Sequence, residues 1–142
     1  MSRILAIDYG LKRTGIAVTD SLQMIATAVE TIDSYLLLDY LKNYTKKNDV
    51  VQLVIGLPKG LNNQESEMTE SVKKIVSKLN ECFPDLPIAT VDERFTSLIA
   101  KKAMLSGGMR KSERRKKENV DKISATLILQ SYLEMTQNRK LT

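Results

Sequence analysis

The sequence predicts an α/β domain: a mixed five-stranded sheet, made of a three-strand meander followed by two parallel strands, flanked by helices. Three observations predict it. Residues 4–7 and 50–55 are short, largely apolar runs, the pattern of strands buried on both faces. Segments with apolar residues at helical spacing separate the later runs. The first run, by contrast, is joined to its successor by a short, glycine-flanked connection of the hairpin kind. Length and composition agree, since 142 residues with 42% hydrophobic content suit one ordinary core. Residues 1–135 are expected to form that single domain, with a polar tail over 136–142.

In chain order, the first strand ends on Asp8, ahead of Tyr9 and Gly10. Turn residues 11–15 lead into a second strand over 16–20, which puts Lys12 and Arg13 at a hairpin tip close to Asp8. A third strand is expected over 26–32, with Ala28, Glu30 and Ile32 on one face. From 35 to 47 the pattern turns helical, with Leu37, Leu41 and Tyr44 on one stripe. The strand over 50–55 ends at Gly56, and the polar stretch 59–64 reads as a loop without the spacing of a Walker phosphate loop. Met68, Val72, Ile75, Leu79 and Phe83 then mark a second amphipathic helix. Residues 87–91 form the fifth strand, which like the first ends in acid, here Asp92-Glu93. A helix is expected to follow Phe95-Thr96-Ser97 as far as Leu105, where Gly107-Gly108 stops it. The last helix is expected over 120–134, with Asn119 as its cap and Asp121 on the face shared by Ser124, Ala125 and Ile128.

Charge is concentrated in one place. Twenty-two Lys and Arg stand against 17 Asp and Glu, a net charge of +5. Between residues 110 and 117, Arg110, Lys111, Arg114, Arg115, Lys116 and Lys117 face the single acid Glu113, so this segment alone accounts for the excess. A clustered basic patch on an otherwise balanced chain points to a polyanion, most simply nucleic acid, whereas a solvated charge run with no partner is the plain alternative. Cys82 is the only cysteine, which excludes an internal disulfide and a thiolate metal cluster. No apolar run approaches the roughly twenty residues needed to span a bilayer, and no signal-peptide pattern opens the chain, so a cytoplasmic protein without membrane contact is expected.

Histidine is absent, which removes Ser-His and Cys-His nucleophiles, imidazole bases and most zinc sites together. Catalysis by this chain would fall to carboxylates, lysines, hydroxyls or a metal held by oxygen. Two strands end in acid, at Asp8 and at Asp92-Glu93, and Asp121 begins the last helix. The bland readings are a turn residue for Asp8 and a dipole-favoured acid for Asp121. Parallel strands would nevertheless bring their acids to one rim of the sheet. Gathered carboxylates repel unless cations neutralise them, and oxygen-only ligation selects Mg²⁺ first and Mn²⁺ next. Such ions lower the pKa of a water and stabilise the leaving oxygen in phosphodiester cleavage.

Four blocks carry a resemblance. Residues 8–17 (DYGLKRTGIA), 55–58 (IGLP), 92–97 (DERFTS) and 120–125 (VDKISA), the last followed by LQSYL at 129–133, resemble the signature blocks of the YqgF family. These are bacterial proteins related to Holliday junction resolvases and associated with maturation of the small-subunit ribosomal RNA precursor. The resemblance implies a ribonuclease H-like fold with the first strand central. It also implies catalytic and metal-binding carboxylates at Asp8, Glu93 and Asp121, with Asp92 as the alternative to Glu93. Gly56 ends the intervening strand and would leave room for Glu93 to reach toward Asp8.

The leading expectation is thus a Mg²⁺- or Mn²⁺-dependent nuclease that matures the 5′ end of precursor 16S rRNA, with branched DNA junctions as a second substrate. Lys12, Arg13, Arg94, Arg110, Lys111, Arg114, Arg115, Lys116, Lys117 and Lys122 are the candidate nucleic-acid contacts. Tryptophan is absent and only five Tyr and two Phe are present, which favours recognition of structured RNA or branched DNA by shape. Monomer and homodimer are equally compatible with the sequence. A non-catalytic RNA-binding factor of ribosome assembly is the second reading. A phosphotransferase of the sugar-kinase type ranks last, because it needs two such domains around its nucleotide.

Overall fold

The computed structural model describes residues 2–20, 22, 23, 25–57, 67–92 and 117–141; side chains are described for these except at 67, 117–123 and 137–141. Five strands form one sheet: β1 (Arg3–Tyr9), β2 (Arg13–Thr19), β3 (Ala26–Asp33), β4 (Val50–Leu57) and β5 (Ile88–Asp92). A 3-10 turn (Ser34–Leu36) leads into α1 (Leu37–Lys47); α2 (Glu67–Cys82) follows β4, and α3 (Lys117–Leu141) closes the chain. The strand order is β3-β2-β1-β4-β5, with β1 antiparallel to β2 and parallel to β4. The meander at one edge, the central first strand and the two parallel strands are those the sequence predicts.

The boundaries differ in four instructive ways. β2 begins at Arg13 rather than Ile16, because Thr14 and Gly15 pair with Tyr9 and Asp8 and prolong the ladder. The connection shrinks to Gly10–Lys12, and Arg13 leaves the tip to stand opposite Asp33 on β3. In β3 the register shifts between Ile16 and Ala17, so that Glu30 pairs with Ile16 but Ala28 with Ala17. The extra residue between them is a β-bulge, and it puts Ala28 and Glu30 on opposite faces, not on one as simple alternation implies. Finally, α3 starts at Lys117 and reaches Leu141, so residues 136–141, expected as a polar tail, lie in its last turns. Lys, Glu, Gln and Arg are strong helix formers, and neither glycine nor proline interrupts them there. The helix expected over 97–105 and the loop over 59–64 lie outside the described residues.

Strand alternation divides the core in two. One cluster joins Leu5, Ile7, Ile16, Leu53 and Ile55 to Leu37 and Leu41 of α1 and to Val72, Ile75 and Leu79 of α2. The other joins Ile4, Ala6, Ala17, Val54 and Val91 to Ala125, Ile128, Leu129 and Leu133 of α3. Each fully buried Leu or Ile contributes about 1.5–3 kcal/mol of transfer free energy, so the first cluster dominates stability. At the edge, burial and a hydrogen bond to Glu30 push the Tyr40 phenol far above its ordinary range, which ties β3 to α1 with a neutral donor.

Candidate active site

Asp8 is the sixth of the seven residues of β1 and is half-buried. Side chains along a strand alternate, so Asp8 continues the row begun by Ile4 and Ala6, on the face that α3 covers. Its partner on β2 is Gly15. On β4 the parallel register runs through Ile7 and Ile55, and one step further it sets Asp8 level with Gly56, which pairs with Val91 on β5. Both lateral neighbours of Asp8 are therefore buried glycines. Backbone alone flanks the carboxylate on the sheet, where any other residue would put a Cβ.

Asp92 lies elsewhere. It ends β5 opposite Leu57, which packs on the α1/α2 cluster, whereas its predecessor Val91 belongs to the α3 cluster. Alternation thus sets Asp92 on the α1/α2 face, away from Asp8. Glu93 and Arg94 lie outside the described residues, as do Arg110, Lys111, Arg114, Arg115 and Lys116. Asp121 lies in α3 four residues before Ala125, one turn from a residue that is fully buried against the sheet. Its side chain, like those of Lys117 and Lys122, is outside the described set.

The tip beside Asp8 is fixed by a residue that the sequence reading did not single out. The Ser34 backbone N–H donates to the Lys12 carbonyl at 2.9 Å, and the Ser34 hydroxyl donates to the Gly10 carbonyl. With that proton committed, the Thr14 hydroxyl donates to Ser34 Oγ at 2.8 Å. Thr14 is fully buried and Ser34 nearly so, which makes these bonds costly to lose. At Gly10 a Cβ would stand 2.5 Å from the Arg13 carbonyl oxygen, a backbone atom that cannot step aside, so only glycine closes this turn. Asp33 stands at the N-cap position of the 3-10 turn that Ser34 opens. Asp33 in fact makes no side-chain cap bond, and Ser34 turns to the hairpin instead.

Comparison with known proteins bears on the family and the fold. The model of a family described as Holliday junction resolvase, RuvX, matches residues 2–135, a span that contains all four resemblance blocks. A protein of Phocaeicola vulgatus named "Putative pre-16S rRNA nuclease" is 54% identical over 134 residues, covering 94% of this chain and 96% of that one. A Bacteroides fragilis protein of the same name is 52% identical, covering 94% and 97%. Among solved structures, Thermus thermophilus RuvC in complex with Holliday junction substrate matches with a TM-score of 0.55 at 12% identity, over 95% of this chain and 96% of that one. The fowlpox virus resolvase in complex with Holliday junction DNA matches with the same TM-score at 13% identity, over 94% and 98%. At such identities the likeness concerns the fold, which is the ribonuclease H-like arrangement of RuvC.

Proposed function

Because the chain belongs to the RuvX family of Holliday junction resolvases, we propose that it is a Mg²⁺- or Mn²⁺-dependent nuclease of the cytoplasm. Its main substrate is the precursor of 16S rRNA, at the 5′ end, and branched DNA junctions are a second. The relatives' shared name supports the first substrate, and the family description supports the second.

The observation that carries this reading is the position of Asp8: the carboxyl end of the central strand, on the face covered by α3, between two glycines. Asp121, one turn before Ala125, extends the α3 stripe that packs on that face. Glu93 follows Asp92, and continued alternation would return it to the face of Asp8. The donors at Asp8, Glu93 and Asp121 are all carboxylate oxygens, and no histidine or second cysteine competes, which fits a hard divalent ion. When bound, such an ion polarises the phosphodiester and lowers the pKa of the attacking water.

The chain's own residues supply the remainder. Asp8 is held by a strand paired on both sides, so its carboxylate keeps its place as the substrate arrives. Gly15 and Gly56 admit the phosphate backbone close to it. Lys12 is exposed at the tip and neutralises a phosphate, and Arg13, Arg94, Lys122 and the run from Arg110 to Lys117 track the rest of the polyanion. No described helix is long and apolar enough to cross a membrane.

The test is Mg²⁺- or Mn²⁺-dependent cleavage of a precursor 16S rRNA fragment and a four-way DNA junction side by side, with wild type and Asp8→Asn. The wild type cuts the RNA and the variant does not. RNA processing that survives the substitution unaltered would instead support the assembly-factor reading.

A further inference from the structure

The two edges of the sheet differ in how open they are. An edge strand presents backbone N–H and C=O groups to any strand that comes alongside, and natural sheets blunt such edges with short strands, Lys or Pro. β5, at one edge, has only five residues, whereas β3, at the other, has eight and contains neither Lys nor Pro. Thr27, Ala28, Val29 and Glu30 are all exposed along it. The bulge kinks β3 between Ala28 and Glu30, but Glu30 to Asp33 keep a regular register on β2. Exposed apolar side chains gather there too. Of the eight large ones among the described residues, Leu22, Ile25, Val29, Tyr35 and Leu36 belong to β3 or to the segments on either side of it, with Leu22 74% and Tyr35 82% exposed. Charge sets the same region apart: residues 14–41 hold Asp20, Glu30, Asp33 and Asp39 but no Lys or Arg, in a chain with 22 of them.

We infer that the outer edge of β3 is a docking site for an extended, basic polypeptide segment of another protein, which adds to the five-stranded sheet as a further strand. Main-chain hydrogen bonds to an open edge supply the affinity of such strand addition, and side chains alternating along the strand supply its selectivity. The partner is polypeptide because a nucleic acid needs cations for its phosphates, and this stretch has none. It is basic because four acids and no cation leave the stretch with a net charge of −4, so opposite charge steers the encounter and like charge is rejected. A second copy fits poorly for the same reason: two-fold pairing of β3 with itself sets two acidic edges against each other. β3 lies two strands from β1, about 10 Å at the usual spacing, so the docked strand extends the sheet on the side away from β4 and β5. The inference does not depend on the nuclease reading.

The experiment titrates the full chain with a labelled peptide that matches the eight residues of β3 in length and alternates Lys and Val. Its counterpart with Glu for Lys, and the Lys peptide N-methylated throughout its backbone, serve as comparisons. Anisotropy reads binding, hydrogen exchange locates it, and sedimentation reads the oligomeric state. The Lys peptide is expected to bind and to protect amides within 26–33, whereas the Glu and N-methylated peptides do not bind. Thr27→Lys and Val29→Lys, both at exposed positions, each weaken binding about tenfold while the melting temperature stays at the wild-type value. No binding of the Lys peptide, equal binding of its N-methylated form, protection that falls on other strands, or affinity unchanged in both variants overturns strand addition. A Glu peptide that binds as tightly as the Lys peptide overturns the basic partner. A free chain that sediments as a dimer with 26–33 already protected gives the edge to a second copy and overturns the proposal as well.

Discussion

The two faces of the sheet are built from the same strands with different residues. From β1, Leu5 and Ile7 enter the cluster under α1 and α2 and Tyr9 packs against it, while Ile4 and Ala6 meet α3 and Asp8 prolongs their row. β2 repeats the division, with Ile16 and Val18 on one side and Ala17 on the other. The α1/α2 face is filled by large aliphatic side chains, as stability requires. The α3 face is lined by fully buried alanines at 6, 17 and 125, so the last helix can approach the sheet closely. The proposed pairing of Asp121 on α3 with Asp8 on β1 depends on that close approach. On that proposal one side of the strand holds the fold together and the other positions chemistry.

Substitutions on the two faces should therefore fail in different ways. The largest effect belongs to Asp8→Asn, where cleavage of the RNA precursor should fall about 10²–10³-fold, the scale of removing one electrostatic group from a reacting centre. The melting temperature should hold or rise slightly, because the change relieves repulsion among acids. Leu5→Ala, three residues earlier on the opposite face, should show the reverse. It should cost about 2–5 kcal/mol in denaturant unfolding, with the specific activity of the folded fraction unchanged. Ala125→Leu blurs the division on purpose: the larger side chain lifts α3 from the sheet, costing about 1–3 kcal/mol and lowering cleavage as well. If Ala125→Leu lost stability but no activity, close packing of α3 would not matter to the site. The smallest change is Thr14→Val, which removes one donor from the tip; about 1 kcal/mol of stability should go, and Thr14→Ser should restore it.

Much of this was legible in the chain. Apolar runs and helical spacing gave the strands and helices in chain order, the resemblance implied the central place of the first strand, and the acids ending two of those runs suggested where a site would lie. The face of each acid was also encoded, because alternation separates Asp92 from Asp8 once the register of β5 on β4 is known. Sequence alone could not supply that register, which depends on pairing between segments more than thirty residues apart. Nor could it foresee the bulge in β3, since one extra residue leaves the local pattern of Ala28, Glu30 and Ile32 intact. The Ser34 clamp was hidden for another reason. A serine before a helix reads as a cap, and only the folded chain shows its hydroxyl turned to Gly10. The extent of α3 was missed because its ends are rich in charged residues, with no apolar stripe to announce them.

The central claim is that Asp8, Glu93 and Asp121 share a metal on the α3 face and that Asp92, on the other face, does not take part. Mn²⁺ binding measured by calorimetry on wild type, Asp8→Asn, Asp92→Asn, Glu93→Gln and Asp121→Asn tests it directly. The account predicts that Asp92→Asn binds as the wild type does, whereas each of the other three weakens binding by at least about tenfold, a change of about 1.4 kcal/mol. Loss of Mn²⁺ binding in Asp92→Asn with Glu93→Gln unaffected would contradict it, placing the acid of β5 on the wrong face of the sheet.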